Sequence, residues 1–121
     1  MSYTDELLIL SESTNGRGIA INVTTSPGAL IHTASSTAGV IDYPELLVAN
    51  NHTALVMLYL LWGGTSASDL ITVPIEFQDG LKRVTLPQPV FNGVAIRAYA
   101  SVANVLNVFT GPGSTRLTEV A

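Results

Sequence analysis

Cysteine is absent from this 121-residue chain, which removes disulfide frameworks, thiolate metal sites and cysteine nucleophiles at once. Charge is the second scarcity: Asp, Glu, Lys and Arg make up 12% of the residues, about half of the roughly 25% usual in a soluble domain. The nine acids outnumber the five bases to a net charge of −4, and the bases are scattered singly. A nucleic-acid binder shows a basic patch, so no nucleic-acid partner is expected. Long apolar runs are also missing. The longest, residues 54–62, is about half of what a helix needs to cross a bilayer, and no membrane partner is expected. The opening Met1-Ser2-Tyr3-Thr4-Asp5-Glu6 is acidic where a secretory signal is basic, so no signal peptide is expected. The lack of cysteine fits assembly in a reducing cytoplasm.

The apolar share, 47%, is ordinary. What replaces charge at the surface is Ser, Thr, Asn and Gly, and a neutral exterior of that kind costs little to desolvate when pressed against another protein. The length is that of one domain with one core. Helical stripes with caps are scarce, whereas β-branched residues and turn signals recur about every eight to twelve positions, the spacing of a sandwich or barrel. Strands are predicted at residues 18–25, 29–34, 40–50, 53–62, 70–77, 82–86, 94–101 and 104–110. Asn15-Gly16, Asp79-Gly80 and Asn92-Gly93 mark turns. Pro44 cannot donate to a ladder and predicts an edge or bulge inside residues 40–50. The segment 53–62 is apolar on both faces, Leu55, Met57, Tyr59 and Leu61 against Val56, Leu58, Leu60 and Trp62. Such a strand is expected to be covered on both sides, the second by a sheet or by a neighbouring subunit. The resulting fold class is all-β, a two-sheet antiparallel β-sandwich of jelly-roll or immunoglobulin-like connection. Its predicted organisation is an N-terminal arm over residues 1–17, the sandwich over 18–110 and a C-terminal tail over 111–121, too poor in apolar residues to fold alone.

Catalytic chemistry is hard to assemble from these residues, and no enzymatic activity is expected. His32 and His52 have no local carboxylate at metal-ligand spacing, so strand-face and turn positions are the expected roles and no metal is predicted. Asp69 and Glu76 flank one short strand, and solvent-facing strand ends are a commoner fate than a paired-acid site. Serine lacks the G-x-S-x-G elbow and the S-x-x-K arrangement. Gly16-Arg17-Gly18 and Gly111-Pro112-Gly113-Ser114 lack the Lys-Ser/Thr ending of a phosphate loop and read as turns. Asn22-Val23-Thr24 and Asn51-His52-Thr53 match a glycosylation triplet that matters only in a secreted chain. No cofactor is expected. The candidate binding residues are interfacial: Trp62, as core or as an interface anchor; Arg97, the one charge inside a well-patterned strand, facing outward or pairing with an acid across an interface; Tyr59 and Tyr99; and Leu7 and Leu8 of the arm.

The order of features over residues 31–109 resembles a group of small virion proteins of tailed bacteriophages. The resemblance is carried by Ile31-His32-Thr33-Ala34, by Leu47-Val48-Ala49-Asn50-Asn51, and by Leu61-Trp62-Gly63-Gly64-Thr65. After these come the strand over 71–75, Arg83-Val84-Thr85-Leu86-Pro87, the segment Gly93-Val94-Ala95-Ile96-Arg97-Ala98-Tyr99-Ala100-Ser101 and Ala103-Asn104-Val105-Leu106-Asn107-Val108. By that likeness the chain is similar to capsid decoration, or cement, proteins. The resemblance implies a structural protein of the virion, assembled in the host cytoplasm and placed on the capsid surface. It further implies a homo-oligomer, a trimer by preference, whose partners are the major capsid protein or other virion proteins. A neck, tail or fibre component is the alternative within this class. A carbohydrate-binding module is the alternative outside it, with Trp62, Tyr43, Tyr59 and Tyr99 as stacking residues.

Overall fold

The computed structural model describes residues 2–120; Met1 and Ala121, the outermost residues of the expected arm and tail, lie outside the described residues. Among the described residues there is no α-helix, only a one-turn 3-10 segment at Ala67–Asp69. The strands are β1 (Ser2–Leu7), β2 (Ile19–Ala20), β3 (Ala29–Thr33), β4 (Val40–Tyr43), β5 (Leu46–Asn50), β6 (Val56–Trp62), β7 (Leu70–Ile75), β8 (Lys82–Arg83), β9 (Ala95–Ala100), β10 (Leu106–Thr110) and β11 (Thr115–Val120). Every pairing is antiparallel. The protein is therefore all-β, as its alternating patterns predict.

The sequence predicts two sheets, and the chain forms three. Two are four-stranded, in the orders β2-β10-β5-β8 and β3-β9-β6-β7; the third is β1-β11-β4. The extra sheet comes from the ends. The segments read as arm and tail pair with one another in unbroken register from Ser2↔Val120 to Leu7↔Thr115, and β11 continues onto β4. Periodicity could not reveal this, because every residue of β1 is exposed and backbone pairing, not burial, organises the ribbon.

The two larger sheets contribute to one core. Leu46, Val48, Leu106 and Val108 come from the first, and Val56, Leu58, Leu60, Ile96 and Ala98 from the second, all with no measurable exposure. Each large aliphatic side chain so buried contributes about 1.5–3 kcal/mol relative to exposure. The period of two in β9 puts Ile96, Ala98 and Ala100 inward and leaves Ala95, Arg97 and Tyr99 half-buried on the outside. Leu8 and Leu10 anchor the segment after β1 in the interior.

Several predicted strands are shorter in the ladder than in the pattern, each for a visible reason. Of residues 18–25 only Ile19 and Ala20 pair in a sheet, since the chain there crosses between sheets. Ile21 donates its N–H to Leu106 O at 3.0 Å on one, and Val23 O accepts Ala100 N–H at 3.2 Å on the other. At residues 82–86 the ladder stops after Arg83, and Thr85 Oγ1 accepts the Leu46 N–H at 3.2 Å. Residues 40–50 divide at Pro44, where the chain leaves the three-stranded sheet as β4 and enters a four-stranded one as β5. The turns at Asn15-Gly16 and Asn92-Gly93 form as predicted, both residues of each pair having positive φ, the conformation for which Asn and Gly pay least.

Candidate functional site

Three features organise the molecule, two buried and one on the surface. The first lies where the three-stranded sheet meets the core. β3 supplies His32, β4 supplies Asp42 and β11 supplies Arg116. His32 and Asp42 are 1% and 0% exposed. Arg116 approaches Asp42 through two bonds, Nε to Oδ1 at 2.6 Å and Nη2 to Oδ2 at 3.0 Å, the bidentate geometry that makes such pairs strong. The Asp42 Oδ2 also sits 2.9 Å from His32 Nε2. On the other side of the ring, Nδ1 accepts the backbone N–H of Ser11 at 2.9 Å. A nitrogen that accepts carries no proton, so the imidazole donates from Nε2 to the carboxylate.

This network could be mistaken for a Ser-His-Asp triad, and its geometry excludes one. The group facing Nδ1 is a backbone N–H, while the Ser11 hydroxyl accepts the Thr33 N–H at 2.8 Å. His and Asp are both sealed from solvent, with no room for a substrate. Burial alone would raise the Asp42 carboxyl, but the Arg116 and His32 hydrogen bonds and the charge beside it outweigh burial and hold it below its ordinary 3.8. The same contact raises Arg116 above its ordinary value. The folded carboxylate thus binds its proton less readily than the unfolded one. Its stabilising contribution is complete above about pH 4 and is lost as pH falls through the depressed folded value. In denaturant titrations at pH 6, 4 and 3, the stability gap between the natural chain and Asp42→Asn is expected to change little from pH 6 to pH 4 and to shrink at pH 3.

A second buried carboxylate occupies the turn between β10 and β11. Glu45 is 4% exposed; its Oε1 accepts the Gly113 N–H at 3.0 Å, and Arg83 Nη1 lies 3.6 Å from Oε2. Ser114 Oγ accepts the Glu45 N–H at 2.8 Å and donates to the Glu45 carbonyl at 3.1 Å. A methyl group at Gly111 would meet the Glu45 side chain at 2.5 Å, which is why the loop is built of glycine. The Gly111-Pro112-Gly113-Ser114 turn therefore cradles an anion of its own chain and leaves no seat for a phosphate.

The surface feature is the outer face of β3-β9-β6-β7, which unites three of the expected interface residues. Tyr59 pairs directly with Tyr99 across β6 and β9, and their rings stack with centroids 4.8 Å apart and 15° between planes. Arg97 stands on the same face, donating to the Gly28 carbonyl at 3.3 Å, and no carboxylate pairs with it among the described residues. Trp62 is not on this face: it points inward on β6 and packs against the core. Leu7 is 72% exposed on β1, but Leu8, expected at the surface with it, is buried at 4%. No group of three or more His, Asp and Glu suited to a metal exists among the described residues. Asp69 caps its own 3-10 turn through Ser66.

Asp42, Glu45, Ser114 and Arg116 are the structurally decisive polar residues that strand patterns overlooked. The signal available was a lone charge inside an apolar alternation, Asp42 between Ile41 and Tyr43 and Arg116 before Leu117. Comparisons with family models, with curated proteins and with solved structures yield no match.

Proposed function

We propose that the chain is a structural protein of a bacteriophage virion, a decoration or cement protein that oligomerises and bridges capsid subunits on the head. The observation that carries this reading is an exterior poor in charge yet set with large open apolar side chains, among them Leu7 at 72%, Leu86 at 59% and Leu81 at 54% exposure. Such a surface favours association over free diffusion.

The strand pairing supports the jelly-roll form of the sandwich over the immunoglobulin-like one. The pairs β2 with β10, β3 with β9, β5 with β8 and β6 with β7 are nested, as in one long hairpin wound on itself to deal its strands between two sheets. Capsid and lectin domains share that architecture. The mechanism proposed is mechanical: neutral sandwich surface is buried across joints between capsid subunits, at about 1,600 Å² for a standard contact. Many weak contacts per particle sum through multivalency, so that pressure from packaged DNA meets more contact area before a joint opens. The carbohydrate-binding alternative needs open ring faces, and Tyr59 and Tyr99 each turn one of theirs to the other.

Light scattering after size exclusion is expected to give the mass of three chains. Heads made without the protein are expected to rupture at lower temperature and to regain resistance when purified protein is added. A persistent monomer without affinity for such heads would refute the reading; stable heads with defective tails would move the protein to the neck or tail.

A further inference from the structure

Six strands bound the three sheets, and five of those edges are closed to further pairing. β2 and β8 are two residues long. β3 has a register shift between Leu30 and His32, and its Thr33 N–H is taken by Ser11. β7 contains Pro74, which has no N–H to offer, and the Pro74 carbonyl accepts Lys82 Nζ at 3.1 Å. β4 exchanges backbone bonds with Val90 through Asp42, at 3.0 and 2.8 Å. These are the usual devices that keep an edge from recruiting another chain.

β1 has none of them. It is six residues long, without proline or bulge, in continuous register with β11 and exposed throughout. The Leu8 N–H donates to Ser114 O at 3.2 Å, toward the β11 side. Backbone direction alternates along a strand, so the N–H and C=O of Asp5 and Leu7 point away from β11. No strand among the described residues meets them.

The charge beside this edge selects what can add to it. Asp5 and Glu6 lie on β1 and Glu119 on β11. The one cation of the ribbon, Arg116, is bonded to Asp42 and lies across the ladder from Glu6, which leaves Asp5 and Glu119 without a cation of the ribbon opposite them. A second copy of β1 would bring its own Asp5 and Glu6 to the seam, where like charges side by side are destabilising. Leu7, on the same face as Asp5, adds an apolar contact.

We propose that the outward backbone of β1 at Asp5 and Leu7 is a strand-accepting site for an extended basic segment of another protein, which joins the β1-β11-β4 sheet as its fourth strand. Main-chain bonds from Asp5 and Leu7 hold the segment, and a row of Lys or Arg side chains on one of its faces selects it by facing Asp5 or Glu6, which lie on opposite faces of β1.

The test is a titration of the isotopically labelled full chain with the peptide acetyl-Thr-Lys-Val-Lys-Val-Lys-Val-Thr-amide, followed by amide NMR shifts. Shifts concentrated at residues 3–7 and 115–120, and slowed amide exchange at Asp5 and Leu7, are expected. Binding is expected to weaken at high salt and to fall at least tenfold when Glu replaces Lys in the peptide. Asp5→Pro removes one outward N–H while leaving the bonds to β11, and is expected to abolish binding. Asp5→Lys with Glu6→Lys keeps the backbone and is expected to reverse the preference between the two peptides, which decides the matter should the proline variant unfold. The proposal is overturned if the Lys peptide leaves residues 3–7 unmoved, if the lysine variant keeps its preference for the Lys peptide, or if a folded Asp5→Pro chain still binds. It is equally overturned if Asp5→Pro turns an oligomer of the chain into monomers, which would give the edge to a second copy.

Discussion

Replacing Arg116 by leucine is expected to lower stability by about 3–5 kcal/mol, the cost of leaving a buried carboxylate without its cation. Asp42 is completely buried, and Arg116 is its only Lys or Arg partner among the described residues. The Arg116 side chain is 33% exposed, so water entering the gap places the loss toward the lower end. The double variant Asp42→Asn with Arg116→Leu is expected to lose less than the sum of the two single variants, because the buried charge has gone with its partner. Urea denaturation of the four proteins measures the coupling directly. Additive losses would mean that the pair contributes nothing beyond its separate parts. The network also joins three strands from different parts of the chain, and the β1-β11 ribbon is therefore expected to show faster amide exchange in the Arg116 variant well before the core does.

Leu58→Ala is expected to cost about 2–5 kcal/mol, the range for deleting a buried leucine side chain where the surroundings relax only in part. Leu58 has no exposure and sits on β6 between β7 and β9, opposite Val73 on one side and Ala100 on the other. The small partner Ala100 leaves little material to collapse into the space. Denaturant midpoints of the natural and substituted chains test this. A loss near zero would mean that the core at β6 is loosely packed. Tyr59→Ala, one position along the same strand and half-buried on the outer face, serves as the contrast, since there the ring stack with Tyr99 is lost and no interior cavity forms.

Much of the architecture was legible in advance because local patterns dictate it. Alternation placed Ile96, Ala98 and Ala100 inside and Arg97 and Tyr99 outside, since successive side chains of a strand must face opposite ways. Asn-Gly pairs turned where they were expected to turn. Pro44 interrupted residues 40–50, although its effect is to pass the chain between sheets. The buried polar network was not legible. His32 and Asp42 are ten residues apart and Arg116 another 74 beyond, so nothing local links them. The interface residues were grouped only in part: Tyr59, Tyr99 and Arg97 share a face, whereas Trp62 faces the core and Leu8 is interior.

By itself, the sequence determined an all-β chain with a neutral exterior and without cysteine chemistry, because composition and a period of two act residue by residue. Tertiary structure alone decided that the two ends pair into a third sheet, that a sealed aspartate ties that sheet to the core, and that β1 is the edge left open. Those depend on strand partners far apart in the chain, and a backbone hydrogen bond is indifferent to the side chains from which a sequence is read.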